Sequence, residues 1–268
     1  MDTPVRPDFW RVKIDNDGWF KDGKYWKNAH QRCRLDTFTL SCERRKEGKR
    51  EMIKSVKLSF KVLVNVDPED ETPDLSEVWF NTTYTVYPDA TVKVENEFLP
   101  VYYHAEREMS VPRIGQLFKL KGALETVDWY GRGPWENYAD RKTSALVGRY
   151  RMLVKELAYA YVRPQENGYR TDVRELTLSS PEGNGMKVTG LPFFCFNAQY
   201  APKENYEING KPIRNTIELK HEKDVFLNID YGQMGVGGDN SWGNPVHVDY
   251  RVLLRNYRYG YVIQLFKE

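Results

Sequence analysis

The stretch EMIKSVKLSFKVLVNV, residues 51–66, decides the fold class of this chain. Apolar side chains stand at every second position of it, at Val56, Leu58, Phe60, Val62, Val64 and Val66. Their neighbours are mostly polar, and a two-residue period is typical of a strand with one buried face. The stretch therefore predicts a long antiparallel strand.

Hairpin signals lie on both sides of this strand. The preceding run ERRKEGKRE, residues 43–51, mixes charges of both signs around Gly48, which favours a solvated turn over a phosphate-binding stripe. After it, VWFNTTYTVY at 78–87 and TVKVENEFL at 91–99 flank the turn dipeptide Pro88-Asp89. Both arrangements predict antiparallel strand pairs.

Short strand-like runs fill the rest of the chain. They are RIGQLFKLKG at 113–122, RELTLSS at 174–180, FFCFNAQY at 193–200, DVFLNIDY at 224–231 and the closing YRVLLRNYRYGYVIQLFKE at 250–268. Turn chemistry separates them, at EGNG (182–185) and at Asn209-Gly210. Helix is expected only near 22–33 and in parts of 138–158. We predict an all-β fold and one domain over residues 1–268.

Composition excludes several function classes. Lys and Arg number 40 and Asp and Glu 38, so a net charge of +2 gives no field that would attract nucleic acid or an anionic membrane. No apolar run is long enough to span a membrane, and MDTPVRPDFW has no signal-peptide core. We expect neither nucleic acid nor a membrane as a partner. The sequence does not indicate the cellular compartment.

The three cysteines, Cys33, Cys42 and Cys195, are an odd number without CxxC spacing. This argues against a disulfide framework and against a zinc site, and predicts buried free thiols. The aromatic content of 14% supplies core volume and also flat faces that stack on sugar rings.

Two charged loops carry candidate chemistry. In WYGRGPWENYADR, residues 129–141, Glu136 and Asp140 are candidates for the paired carboxylates of a glycosidase. The favoured alternative is an ion-pair network of Asp140 and Arg141 that holds the loop. In RPQENGYRTDVRE, residues 163–175, charges alternate around the turn Asn167-Gly168 and predict a second oriented loop.

A third loop, NIDYGQMGVGGDNSW at 228–242, is rich in glycine but lacks the GK[ST] of a phosphate loop. Its glycines allow close backbone approach and leave a polar group with a flat aromatic ring at the end: Asp239, Asn240, Ser241 and Trp242. Neither a GxSxG elbow nor HExxH occurs. His104, near Glu106 and Glu108, is a candidate acid or base, although a solvent-facing strand histidine is favoured.

Four segments together resemble one family. FWRVKIDND at 9–17 is similar to its FWRAPxDND, GRGPWENYADR at 131–141 to GxGPxENYxDR, RPQENGYRTDVREL at 163–176 to PxENGxRxxxREL, and MGVGGDNSW at 234–242 to MGxGGDxSW. The chain thus resembles the C-terminal domain of glycoside hydrolase family two β-galactosidases, at similar spacing over nearly its whole length.

The resemblance implies a large twisted antiparallel β-sandwich, a supersandwich similar to galactose-mutarotase folds, packed beside a TIM barrel that this chain lacks. That barrel carries the two glutamates that hydrolyse terminal β-D-galactosides with retention, together with the Mg and Na ligands. The implied partners are a galactoside and the other domains of the parent enzyme, for which homo-oligomers are an expectation. No catalytic residue, metal or cofactor is expected in this chain, which should be inactive alone.

The resemblance also assigns site residues. Trp242 would contact the sugar, with Asp239, Asn240 and Ser241 as neighbours. Asp17, Gly18 and Trp19 would border the site, although a lactose-cleaving member of the family has a longer mobile loop after DND, which leaves a gating role in doubt. Two alternatives stay open: a carbohydrate-binding module with several coplanar rings, and an epimerase with a converging His and carboxylate.

Overall fold

The structure is a computed structural model that describes residues 3–20, 23–66, 77–101, 109–240 and 242–267, without the side chain of Trp19. The strands are β1 (Arg6–Asp8), β2 (Cys33–Glu47), β3 (Arg50–Asn65), β4 (Glu77–Val86), β5 (Val92–Pro100), β6 (Arg113–Leu120), β7 (Thr126–Gly133), β8 (Leu146–Leu153), β9 (Arg170–Ser179), β10 (Asn184–Gln199), β11 (Glu207–Ile208), β12 (Lys211–Pro212), β13 (Val225–Gln233) and β14 (Tyr257–Lys267).

Helices are short. The α-helices are α1 (Gly23–Trp26) and α2 (Val154–Leu157), and the 3-10 helices are Asp17–Trp19, Ala29–Arg32, Lys203–Tyr206, Thr216–Glu218 and Val248–Tyr250. No helix in these described ranges is long and apolar enough to cross a membrane.

One large antiparallel sheet dominates the fold. Its strands follow the order β1-β6-β13-β10-β14-β5-β4-β3-β2, and β9, β7 and β8 branch from β10. The long strand β10 changes neighbours along its length: residues 184–191 pair with β14, whereas residues 195–199 pair with β13. Its register against β9 shifts between Thr189 and Phe194. Such a shift bends a strand, and here it lets the sheet curl around its core.

Aromatic rings fix the N-terminal segment to this core. Phe9 packs edge-on against Phe80 of β4 at 5.5 Å, and lies 5.9 Å from Phe98 of β5. Trp26 of α1 lies 6.1 Å from Phe98. All four rings are fully buried. Aromatic packing of this kind stabilises beyond the area it buries. Residues 9–20 and 23–26 are therefore held in place beside the sheet, and polar side chains of the first range reach the candidate site.

The all-β antiparallel class is confirmed, as are the hairpin around Gly48 and the hairpin at Pro88-Asp89, which are β2–β3 and β4–β5. Helix near 23–32 is also confirmed. In 138–158 only α2 is helical, because residues 146–153 pair with β7 as a strand.

Two predicted loops are shorter than expected. Strand β7 continues to Gly133, since glycines 131 and 133 fit closely against neighbouring side chains, and the loop begins only at Pro134. Residues 170–175 likewise belong to β9. The prediction that the cysteines are buried was wrong for Cys42, which is exposed on β2, while Cys33 and Cys195 are half-buried; all three are free.

Candidate functional site

The glycine-rich segment that follows β13 forms a projecting loop, here called the Trp242 loop (residues 234–242). At its start Met234 is fully buried and its N–H donates to Pro112 O at 3.0 Å, while Gly235 N–H donates to Tyr250 O at 2.8 Å. At its end Trp242 is 90% exposed. Ser241 lies outside the described residues. The loop is therefore anchored in the core at one end and open to solvent at the other.

Asp140 binds the backbone of this loop. Its carboxylate accepts N–H groups from Val236 at 3.0 Å and from Gly237 at 2.6 Å. Hydrogen bonds to a charged acceptor are about twice as strong as neutral ones. Asp140 therefore fixes the base of the Trp242 loop to the loop that follows β7.

Two glycines make this contact possible. A Cβ on Gly235 would lie 2.5 Å from the Asp140 carboxyl carbon, and a Cβ on Gly237 would lie 2.9 Å from Asp140 Oδ2. Real Cβ atoms do not approach another atom so closely. The glycines at these positions thus serve close approach of a carboxylate, and neither has a positive φ.

The N-terminal segment supports the same loop from the other side. Asn16 Nδ2 donates to Gly237 O at 3.2 Å. Nearby, Arg11 and Asp17 form a buried ion pair at 2.8 Å, and Asp17 also accepts the N–H of Ile14 at 3.0 Å. The segment DND is thereby folded into a compact turn. Two segments 220 residues apart in the chain meet at the base of the Trp242 loop.

The tip of the loop is open. Asn240 Oδ1 accepts the N–H of Trp242 at 2.9 Å, which orders the local backbone. Asp239 Oδ1 lies 2.7 Å from His247 Nε2, and both side chains are more than half exposed. An exposed pair of this kind contributes little to stability, and the side chain of Trp242 beside it is largely exposed to solvent.

Glu136 holds two further loops together. Its carboxylate accepts the N–H of Gly168 at 2.7 Å, pairs with Arg141, and accepts the hydroxyl of Tyr161. Gly168 has a φ of +77°, which favours glycine at this turn. The carboxylate is therefore engaged on all sides by groups of this chain.

A group of buried charges lies behind the site; we call it the Arg113 cluster (Arg113, Asp8, Glu166, Asp230 and Lys203). Arg113 reaches three carboxylates, those of Asp230 at 3.2 Å, Glu166 at 3.3 Å and Asp8 at 3.5 Å. Lys203 pairs with Asp8. Buried charges persist when they are paired and hydrogen-bonded, and Glu166 also accepts the N–H of Val12 at 3.0 Å.

Two carboxyl groups in the Arg113 cluster have displaced pKa values in opposite directions. Burial would raise the pKa of Asp8, but the charges of Lys203 and Arg113 lower it to about 2. Burial raises the pKa of Asp230 to about 7, although Arg113 acts in the opposite direction. Asp230 thus titrates near neutral pH inside the protein.

Comparison with known proteins identifies the family. Residues 1–263 match the family described as beta galactosidase small chain. The chain belongs to this family. It is 34% identical over 245 residues to a β-galactosidase of Priestia megaterium, covering 91% of this chain and 22% of that protein. It is 29% identical to a β-galactosidase of Vibrio cholerae, over 97% of this chain and 24% of that protein. The chain spans about a quarter of the length of these relatives.

Solved structures resemble this small chain only distantly. A GalM/aldose epimerase homologue from C. elegans has a TM-score of 0.40 and 15% identity, over 84% of this chain and 68% of its own. A glycoside hydrolase family 97 enzyme from a Pseudoalteromonas strain has a TM-score of 0.41 at 8% identity, over 88% of this chain and 28% of its own.

The residues that the small-chain resemblance assigned to a site do lie near one another. Asp239, Asn240 and Trp242 share the exposed loop tip, and Asp17 and Gly18 belong to the turn whose Asn16 binds the base of that loop. Asp17 itself is buried against Arg11, so its carboxylate does not face solvent. Ser241, the Trp19 side chain, and His104 with Glu106 and Glu108 lie outside the described residues.

The predicted ion pair between Asp140 and Arg141 was wrong. Arg141 pairs with Glu136, and Asp140 binds the N–H groups of the Trp242 loop. Sequence reasoning missed this contact, and Asn16 with it. The signal was present in the glycines of MGVGG, since glycines at alternate positions allow another group to approach the backbone. What approaches cannot be read from the sequence.

Proposed function

We propose that this chain is the C-terminal domain of a β-galactosidase and that Trp242 forms one wall of its galactose site. One observation carries the proposal: in a small chain of a β-galactosidase, an indole that is 90% exposed stands at the tip of a loop whose base is fixed by Asp140. Because Asp140 fixes the base of this loop, the backbone that leads to the indole needs less ordering when a sugar binds.

The carboxylates of this chain support a division of labour. A retaining glycosidase needs two carboxyl groups about 5–5.5 Å apart and facing the substrate. Glu136 is engaged by Arg141, Tyr161 and Gly168 N–H, and Asp140 is engaged by two backbone N–H groups. We therefore assign the acid/base and nucleophile to the part of the protein outside this chain.

We also assign metal binding to the part of the protein outside this chain. Within the described residues no three His, Cys, Asp or Glu side chains are grouped to hold a metal ion. We propose that the Mg and Na that the resemblance implies take their ligands mainly from the part of the protein outside this chain. Trp242 needs no metal for its proposed role, since an indole contacts the C–H face of a sugar by dispersion and by burial of apolar surface.

Activity measurements with and without the remaining protein test this proposal. The chain alone is expected to leave a chromogenic β-galactoside unhydrolysed, because its candidate carboxylates Glu136 and Asp140 are both engaged by groups of this chain, whereas the whole protein hydrolyses it. Turnover that co-purifies with the 268-residue chain through successive columns would overturn the division of labour.

A binding module and an epimerase remain the competing functions, and neither gains support from the geometry. The neighbouring rings of the exposed Tyr159 and the half-buried Tyr161 are tilted by 56°, whereas a sugar platform needs coplanar faces. The His247–Asp239 pair lies at an exposed loop tip, not in a concave pocket. Calorimetry with galactose distinguishes the cases: we expect no binding by the chain alone, and a micromolar site would favour the binding module.

A further inference from the structure

The β2–β3 hairpin carries large apolar side chains that are exposed to solvent. Leu35, Phe38 and Leu40 of β2 are 55%, 48% and 64% exposed. Every residue of β2 after Cys33 is exposed, although the strand is 15 residues long. Large apolar side chains scattered over a surface are ordinary, but a contiguous group of them marks an interaction site.

The register places these side chains on one face. Phe38 lies opposite Phe60, Leu40 opposite Leu58 and Cys42 opposite Val56, and the Phe38 and Phe60 rings are 5.1 Å apart. We call this group the hairpin face: Phe38, Leu40 and Cys42 of β2 with Val56, Leu58 and Phe60 of β3. The alternate residues Thr37, Thr39 and Ser41 form the opposite, polar face.

The hairpin face continues the protein's own core without a break. Phe60 is two residues from Val62 and four from Val64, and Val64 is fully buried. One strand further, Phe80 stands opposite Val62 and is also buried. The inner face of the sheet is thus covered at β4 and uncovered at β2. An apolar face that extends a core resembles a core cut in half, which is typical of permanent interfaces.

The outer edge of β2 is also unpaired. Among the described residues β2 ends the sheet order and pairs only with β3. Long apolar edge strands template aggregation, and proteins usually shorten, charge or cover them. The bulge at Asp36 and the charges of Arg34 protect only the start of this strand. From Thr37 to Cys42 neither device is present.

We propose that the hairpin face binds the part of the β-galactosidase that lies outside these 268 residues. The chain covers only 22–24% of the length of its relatives, so a protein of their length has about three times as many residues outside this part that could cover the face. A tethered surface acts at a high effective concentration. A core-like face requires such a permanent cover. The inference rests on the proposed function only in that the chain belongs to a longer β-galactosidase.

Cys42 reports on this cover directly. In the whole native protein, its thiol is expected to react with a maleimide at least about tenfold more slowly than a cysteine on the polar face, made as Ser41→Cys in a Cys42→Ser background. Peptide mass spectrometry reads both positions, and labelling after denaturation in urea confirms that each thiol is reactive. Equal labelling of the two positions would overturn the proposal.

A second copy of the chain is the competing occupant. Protection of Cys42 that disappears when the protein is diluted until any oligomer dissociates would show such a copy and would contradict our assignment. Protection that persists in the monomeric whole protein supports it. Because galactoside hydrolysis is not measured, the outcome does not depend on the role of Trp242.

Substitutions give an independent readout. In the whole protein, Leu40→Asp should lower the melting temperature by several degrees or release this part to proteolysis, since it places a charge in an apolar contact. Thr39→Asp, on the polar face of the same strand, should leave the melting temperature within about one degree. An identical, small effect of both substitutions would mean that neither face is covered.

Discussion

Arg113 is 1% exposed and Trp242 is 90% exposed. The buried side chain has many polar contacts, and the exposed one has few. Arg113 is surrounded by three carboxylates that fix its position, and its cluster joins β1, β6, β13 and the turn before β9. Trp242 has one backbone hydrogen bond, to its neighbour Asn240. The buried group holds strands together, whereas the exposed ring is presented outward. Changes in the first should affect folding, and changes in the second should affect binding.

The largest effect is expected at Arg113. Arg113→Met leaves Asp8, Glu166 and Asp230 without their shared cation, and should lower the free energy of unfolding by about 3–5 kcal/mol. Urea unfolding measures this. Arg258→Met, which removes an exposed pair with Glu97, is the control and should cost no more than about 1 kcal/mol. Similar losses in both variants would show that the Arg113 cluster is not structural.

Asp230 gives the same cluster a pH dependence. A carboxyl group whose pKa is raised to about 7 contributes stability that is complete below its unfolded pKa, about 3.9, and is lost as pH rises through 7. Asp230→Asn should therefore match the parent protein near pH 4 and exceed it by about 2–4 kcal/mol above pH 7.

Asp172 provides the opposite control for this experiment. Burial would raise the pKa of Asp172, but hydrogen bonds from Arg132 and Lys142 lower it, so the stability it contributes is lost as pH falls. Asp172→Asn should be less stable than the parent protein at neutral pH and approach it in acid. A difference between Asp230→Asn and the parent that is constant from pH 4 to 8 would contradict the raised pKa.

A smaller effect is expected at Asp140, which fixes the base of the Trp242 loop. Asp140→Ala removes the acceptor of two N–H groups at the base of the Trp242 loop, and in the whole enzyme should raise KM several-fold with little change in kcat. Asp140→Asn keeps one acceptor oxygen and should restore part of the loss. The exposed Asp249→Ala is the control. A fall in kcat alone, with KM unchanged, would argue against positioning of the loop.

Much of the fold was predictable because antiparallel strands with one buried face leave a two-residue period in the sequence, as at Val62 and Val64. The same two-residue period gave a wrong prediction of burial at the other end of that strand. The period predicts a buried face from Val56 to Phe60, but Val56, Leu58 and Phe60 are only half-buried. Periodicity reports which face is apolar and cannot report what covers it.

The exposed residues of the candidate site could be predicted from the sequence, whereas the residues that hold the base of the Trp242 loop could not. The motif MGVGGDNSW led to Trp242 through a resemblance, and glycine chemistry indicated close approach of another group. The group itself, Asp140, lies 96 residues away from Val236, and the ion pairs of Arg113 join residues from four separate segments. Such long-range polar contacts leave no local pattern, so only a structure reveals them.

The central claim is that Trp242 contacts the sugar, and kinetics of Trp242→Ala in the whole enzyme test it most directly. Covering about 60 Å² of apolar sugar surface at about 25 cal/mol/Å² gives about 1.5 kcal/mol, or about tenfold in affinity. We predict a roughly tenfold rise in KM and in the inhibition constant of galactose, with an unchanged melting temperature. Trp135→Ala, at another exposed indole, is the control and should change neither. A Trp242→Ala enzyme with unaltered KM and galactose inhibition would contradict the account.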